Sequence, residues 1–460
     1  MRALWQRGRP RAPEIQSRTC SSTSWPEVPS SALESTSSVS TVSPTVALPP
    51  GSASSARWRS SSDTRSPAAG KADSSGCVAY GSCWSSLIVR PYADAVPLRS
   101  ARRGAVGRPG HNGRVTHWVL HVDMDQFLVA VELLRRPELV GLPVVVGGRG
   151  DPTERAVVST ASYEARAHGV RSGLALKLAK RRCPEAVFLP VDFPVYEAAS
   201  ARVMATLRAT PGAVVEVLGW DEAFVGIEAD DPVAAARSIQ AAVLAATGLH
   251  CSVGIGDTLV RAKIATDFGK PQGTFVLTRD TWMEVMGERP TTALWGVGTR
   301  IGARLEAIGI RTVADLAAAE ADALVAAFGP ATGAHLGRLG RGGGRSRPDD
   351  TPWVARAHGR ETTYQSDLRT PDEVRAALAE LAARVIDDVR KEERMVQRVH
   401  LKVRFAPFFT FTKVRKLKEP TWDVEVITQT AHDLYLALDD QRPVRLLGVR
   451  GEMVEPEGGY

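Results

Sequence analysis

Two short runs place carboxylates where apolar segments stop. In His121-Val122-Asp123-Met124-Asp125-Gln126-Phe127 an apolar stretch ends on two acids, and in Gly219-Trp220-Asp221-Glu222-Ala223 two more stand between apolar stretches. Carboxylates at strand ends stay open to solvent and ligand while the apolar residues around them hold their position. Such a cluster repels itself without cations. Two Mg²⁺ ions about 4 Å apart would neutralise it and stabilise both the attacking and the leaving oxygen of an in-line phosphoryl displacement. Either pair alone reads equally well as solvated turn residues, because acids are common at strand ends. Both pairs on one sheet are harder to read that way. Asp125 stands apart from the other three, since it sits where a helix begins and reads as an N-cap rather than a metal ligand.

The periodicity around these acids supplies the sheet that must hold them. Apolar patterning predicts strands over 118–123, 214–218, 223–228 and 251–256, and helices over 126–135, 196–208 and 232–246, with a long insertion over about 142–190. With the insertion removed the order is β-α-β-β-α-β, the split βαβ arrangement of a ferredoxin-like sheet. The fold class expected is therefore α+β.

The chain has 460 residues, a formal net charge of +7 and a pI near 9.3, which invites a nucleic-acid reading. The charge has to be located first. Residues 1–114 hold 15 Lys and Arg against 6 Asp and Glu, leaving 43 against 45 for the rest, so the basic excess belongs to the first quarter of the chain. That quarter is rich in Ser, Pro, Arg and Ala without a sustained apolar period. It reads as a disordered extension, or as an over-long gene reading with Val115 as the true initiator. The five cysteines, Cys20, Cys77, Cys83, Cys183 and Cys251, form no CxxC pair and point to neither a disulfide framework nor a zinc site. No run approaches the ~20 apolar residues of a membrane span and no secretory signal opens the chain, so a cytoplasmic protein without a membrane partner is expected.

Four motifs carry a family resemblance. HVDMDQF with VE at 131–132, STASYEAR at 159–166, GWDEAF at 219–224 and AKIATDFGKPQG at 262–273 resemble the Y-family DNA polymerases, in particular the DNA polymerase IV branch, over about residues 118–452. The resemblance implies a palm at 115–290 with a fingers insertion over about 142–190, a helix-hairpin-helix thumb at 291–338, a linker at 339–352, a C-terminal α/β little finger at 353–454 and a tail at 455–460. It implies that Asp123 and Asp221 bind the metals, that the Met124 carbonyl adds a ligand, and that Glu222 holds the catalytic metal near the primer 3′ hydroxyl. Mg²⁺ is the expected ion, as a pair, with Mn²⁺ as an alternative.

By the same resemblance Thr160, Tyr163, Arg166 and Lys270 hold the incoming triphosphate, to which Arg and Lys offer fixed donors and positive charge. Leu128 stands where most relatives carry an aromatic steric gate. A leucine can rotate away from a 2′ hydroxyl at a cost of roughly 1 kcal/mol, so weakened rejection of ribonucleotides is expected, with core packing as the plainer reading. Gly219 and Trp220 also depart from the family pattern, while the acids beside them are retained.

DNA would be held in two places. Gly296-Val297-Gly298 reads as a hairpin turn whose exposed backbone N–H groups can bind a phosphate without reading sequence. Residues 394–418 hold eight Lys or Arg and no acid, and in Val399-His400-Leu401-Lys402-Val403-Arg404-Phe405 the basic and apolar residues alternate. That pattern predicts a strand with a DNA-facing side carrying His400, Lys402 and Arg404, joined by Lys413, Arg415 and Lys416. The expected partners are primer–template DNA and deoxynucleotides, with the chain a monomer. A sliding-clamp peptide is only faintly echoed at 441–447 and overlaps a predicted strand, which favours structure over docking. Two further readings remain: a non-catalytic DNA-binding accessory of the same family, against which the retained acids argue, and a nucleotidyl cyclase, which needs neither the Gly296 turn nor the basic strand.

Overall fold

The computed structural model describes residues 116–460, so the expectations for 1–114 lie outside the described residues. The chain opens with β1 (His117–Met124) and α1 (Phe127–Arg135). An inserted unit follows: β2 (Val144–Val146), β3 (Thr160–Ala161), α2 (Tyr163–Ala167), α3 (Leu176–Arg182) and β4 (Val187–Leu189), with sheet order β3-β2-β4. Next come α4 (Phe193–Arg208), β5 (Val214–Val217), β6 (Glu222–Glu228), α5 (Pro232–Thr247), β7 (Cys251–Gly256), α6 (Leu259–Gly269) and β8 (Thr274–Leu277). The main sheet runs β5-β6-β1-β7-β8. Its first four strands have the order and antiparallel pairing of the ferredoxin-like arrangement, as expected.

β1 is central, so both of its faces are covered, and its apolar residues Trp118, Val119, Leu120, Val122 and Met124 serve both. Leu120, Val122 and Met124 pack with α4 and α5 through Val203, Leu207, Ile239 and Val243. Val119 points to the other face, where it meets Phe224, Leu259 and Ala262. The two-residue strand period puts His121 and Asp123 on that second face too, with Glu222 directly opposite Asp123.

α6 lies against this second face, and the sequence pattern passes over it. Leu259, Val260, Arg261, Ala262, Ile264, Ala265 and Thr266 are all buried, so the helix is covered on most sides and shows no amphipathic stripe. Gly254 makes the close approach possible: a Cβ there would stand 2.0 Å from the Ala262 carbonyl oxygen and 2.4 Å from the Thr266 nitrogen.

After α7 (Trp282–Met286), the helices α8 (Thr299–Ala307), α9 (Val313–Ala318), α10 (Ala321–Phe328) and α11 (Pro330–Gly340) form a third unit around Leu294, Val297, Leu305, Leu324 and Leu336. The expected linker from 339 starts later, since Leu339 and Gly340 complete α11. The segment that follows is also not loose. Glu216 accepts from Arg345 Nη2 with both oxygens, at 2.7 and 2.9 Å, and from the Asp349 N–H at 2.9 Å. His117 Nε2 lies 2.9 Å from the Ser346 carbonyl oxygen, and the Leu259 N–H donates to the Arg345 carbonyl at 2.9 Å.

The last unit consists of β9 (Ala357–Leu368), α12 (Pro371–Arg390), β10 (Val396–Phe405), β11 (Phe409–Thr421), α13 (Val424–Leu436) and β12 (Val444–Met453), with sheet order β11-β10-β12-β9. Val399, Leu401, Val403 and Phe405 are buried with α12 and α13, and His400, Lys402 and Arg404 face outward, the alternation expected. Among the described residues no helix is long and apolar enough to cross a membrane.

Gly254→Ala should lower the stability of the folded chain by about 1–3 kcal/mol, the usual cost of overpacking a rigid contact. Urea denaturation followed by circular dichroism measures it, and an unchanged midpoint would mean that α6 does not depend on this contact.

Candidate active site

The strand register brings the two acidic runs together. Asp123 lies opposite Glu222 across β1 and β6, and the Met124 N–H donates to the Asp221 carbonyl at 2.8 Å, closing the β5–β6 hairpin onto β1. Carboxylate oxygens of Asp123 and Glu222 and a ring nitrogen of His121 lie within 4.8 Å of one another. Asp221 lines the same cleft. Around it stand Met124, Thr160, Tyr163, Arg166 and Lys270, all expected there, together with Gln126, Phe127 and Ser172, which were not.

α6 presents its cations to these acids. Lys263 and Thr266 stand three apart on one face of the helix, and Lys270 follows at its C-cap. Lys263 Nζ pairs with Glu222 Oε2, and Lys270 Nζ lies 2.8 Å from Asp123 Oδ2. His121 Nδ1 is 2.8 Å from Thr266 Oγ1, and its Nε2 is 3.2 Å from both Glu222 Oε2 and Lys263 Nζ. Burial works against the Glu222 charge, yet the His121 contact and the Lys263 ammonium hold its carboxyl well below the usual range. Burial, and then Lys263, keep the His121 imidazole pKa below its ordinary value. For Asp221 the nearby Lys270 offsets only part of the cost. Burial, reinforced by Asp123 and Glu222, pushes its carboxyl up to about 7.

This donor set suits a hard divalent cation. It consists of carboxylates with a neighbouring main-chain carbonyl, their mutual repulsion is expressed in Asp221, and two lysines supply the positive charge that the cluster requires.

Asp125 is not the N-cap expected. Gln126 holds that position, in the left-handed region at φ 43°, and makes no side-chain cap. Asp125 is instead 4% exposed and accepts from Tyr163 Oη at 2.7 Å, from Ser252 Oγ at 3.0 Å and from the Gln272 N–H at 2.9 Å. It therefore ties the inserted unit to β7 and to the turn after α6. Gln126 adds to the joint by accepting from the Tyr163 N–H at 2.8 Å. Arg166 lies over the Tyr163 ring, 5.0 Å from its centroid, and donates to the Ala161 carbonyl at 2.9 Å.

Leu128 stands elsewhere. It is 6% exposed within the main core, and its neighbour Phe127 lines the cleft. Glu132 of the first motif is likewise internal, buried against Tyr196 Oη at 2.7 Å.

At the expected DNA-holding positions, Gly296 and Gly298 are exposed on either side of buried Val297. Gly296 has φ +88°, and Gly298 begins α8 without a side-chain cap. In the last unit the basic strand is more neutral than its sequence suggests, because the acids come from neighbouring strands. Lys402 Nζ reaches Glu361 at 2.7 Å across Gly448, while His400 lies 3.0 Å from Glu452, which Arg398 also pairs. Lys413 and Arg415 pair opposite Leu401 and Val399 and so belong to the helix side of the sheet, where Arg415 meets Asp433 at 3.1 Å. Lys416, opposite Arg398, is on the open side with Arg404. The segment 441–447 that echoes a clamp peptide has Val444, Leu446 and Leu447 buried in β12.

His121, Lys263 and Thr266 were not foreseen, although His121 precedes Asp123 by two residues and so must share its side of a strand.

Comparison with known proteins finds matches between residues 122 and 460. The impB/mucB/samB family matches residues 122–267, its C-terminal domain matches 355–460, and the thumb domain of DNA polymerase-iota matches 292–343. A protein named DNA polymerase IV 2 from Mycobacterium tuberculosis (strain ATCC 25618 / H37Rv) is 49% identical over 340 residues, covering 73% of this chain and 98% of the relative. A DNA polymerase IV from Methanoculleus marisnigri is 38% identical over 348 residues, covering 73% and 94%. Among solved structures, the Y-family DNA polymerase chimera Dbh-Dpo4(243-245)-Dbh superposes with a TM-score of 0.65 at 25% identity, covering 73% of this chain and 98% of that one.

The Asp221 carboxyl generates a pH dependence. Its folded pKa of about 7 lies above the ordinary 3.8, so its contribution to stability is fully present below about pH 4 and is lost as pH rises through about 7. In chelator, the difference in melting temperature between Asp221→Asn and the parent chain should grow in favour of the variant from pH 4 to 7. Melting curves that run parallel over that window would contradict the assignment.

Proposed function

The chain belongs to the Y family of DNA polymerases, and from that premise we propose that it copies damaged templates at low fidelity by two-cation nucleotidyl transfer. It is a DNA-directed DNA polymerase of the translesion kind, like the relatives named DNA polymerase IV. The observation that carries the mechanistic reading is the meeting of Asp123, Asp221 and Glu222 with Thr160, Tyr163, Arg166 and Lys270 around one cleft.

Asp123, Asp221, the Met124 carbonyl and Glu222 would hold Mg²⁺, or Mn²⁺ in its place. When bound, the cations would stabilise the negative charge on the attacking and leaving oxygens. Glu222 enters the reaction already oriented, because His121 and Lys263 fix one of its oxygens. Lys270 and Arg166 offer charge-assisted donors to the triphosphate, and Tyr163, braced by Asp125, forms the wall beside them. The primer 3′ hydroxyl attacks the α-phosphate and pyrophosphate leaves. The turn at Gly296 and Gly298 and the outward residues His400, Lys402, Arg404 and Lys416 are the proposed phosphate contacts for primer–template DNA. Such contacts fix position without reading sequence.

Leu128 is proposed to weaken the exclusion of ribonucleotides, acting from the core next to Phe127, which lines the cleft. A ring placed there would stiffen the floor under the sugar.

Primer extension tests the main reading. Asp221→Ala should slow single-nucleotide addition by about 1000-fold, several kcal/mol of lost transition-state stabilisation. A loss below about tenfold would remove Asp221 from the mechanism, and a parent chain that extends no primer would favour the non-catalytic DNA-binding accessory. Parallel assays with ribo- and deoxynucleotides should show Leu128→Phe raising sugar discrimination by about tenfold, and strong, equal discrimination in parent and variant would refute the role of Leu128.

A further inference from the structure

The hairpin between β10 and β11 ends in Ala406-Pro407-Phe408-Phe409-Thr410-Phe411, and its rings lie largely in solvent: Phe408 is 66% exposed and Phe409 54%. Aromatic rings left open at a strand tip are costly unless something covers them. Guanidinium groups surround these. Arg445 lies 4.9 Å and Arg404 5.8 Å from the Phe408 ring centroid, and Arg442 lies 4.2 Å from that of Phe409. Arg442 is neutralised by Asp440, but among the described residues neither Arg404 nor Arg445 makes an ion pair. In the middle of the same sheet face Lys402, His400 and Arg398 are compensated by Glu361 and Glu452, whereas the guanidinium groups of Arg404 and Arg445 at this tip are not.

The tip also has a definite place in the molecule. Phe405, Val444 and Leu368 pair in succession across β10, β12 and β9, so the hairpin and the end of β9 occupy the same edge of the sheet. That edge touches the inserted unit, where Arg155 pairs with Asp367 and donates to the Tyr364 carbonyl at 3.1 Å, and its N–H donates to Gln365 at 2.7 Å. Arg445 lies within electrostatic reach of Arg155 and Asp367.

We propose that Phe408 and Phe409, with Arg404 and Arg445, form a stacking platform for the unpaired template strand ahead of the nucleotide being copied. This rests on the polymerase reading, in which the duplex lies behind the acids and the single strand must leave past the inserted unit. Exposed rings with unpaired guanidinium groups match a polyanion whose bases offer flat faces, whatever their sequence.

The full chain should bind a primer–template with an overhang of about six nucleotides about fivefold more tightly than one with a single-nucleotide overhang. It should also change the fluorescence of 2-aminopurine placed within the longer overhang. Phe408→Ala combined with Phe409→Ala should erase both effects and Phe408→Tyr should keep them, while single-nucleotide addition on the short overhang stays unchanged in each variant. Because the rings are exposed, an unchanged melting temperature verifies folding. Equal affinity of the parent chain for the two DNAs would overturn the proposal, and so would an abasic overhang that binds as well as a natural one. Retention of the overhang increment by the double variant would also overturn it and assign the tip to a protein partner. Failure of the parent chain to extend the short overhang would count against the polymerase reading alone.

Discussion

Three carboxylates crowded against one face of a sheet set the terms for the rest of this molecule. A like-charged pair about 5 Å apart costs on the order of 3 kcal/mol at an effective dielectric near 20, and here there are three such groups. Lys263 and Lys270 offset that repulsion, the first from α6 and the second from the residue that ends it. The helix must therefore lie hard against β7, which only a residue without a side chain at 254 allows. A backbone requirement and an electrostatic one are thus the same requirement. Asp221, buried and only partly offset by Lys270, retains the unfavourable remainder, the part a bound cation would relieve.

The palm sheet could be read from sequence because its signals are local: apolar runs, strand-length spacing and acids at strand ends. Strand 251–256 was placed to the residue. α6 was missed for the converse reason, since a helix buried on most sides has no polar stripe to set its period. The acids that compensate Lys402 and His400 escaped for a topological one: they come from β9 and β12, some forty and fifty residues from the strand they neutralise. No window along the chain contains both partners.

Asp125 shows how position in sequence can mislead about role. An acid just ahead of a helix resembles a cap, but the backbone at Gln126 turns left-handed and sends the carboxylate inward. There it accepts from three separate elements and makes the orientation of Tyr163 in the cleft a property of the palm. Tyr163 and Asp123 are thereby held through a connection two residues long. Leu128 illustrates a finer limit, because successive helix residues turn by about 100° and sequence does not say which of Phe127 and Leu128 meets the cleft.

The clasp that Glu216 makes on Arg345 and Asp349 shortens the tether to the C-terminal sheet. Of the stretch that composition marks as free, only about seven residues separate Asp349 from the start of β9, a reach of roughly 25 Å when fully extended. The C-terminal sheet is therefore held at two points, by a short tether anchored on the α6 side of the main sheet and by Arg155 of the inserted unit, which denies it any distant resting place.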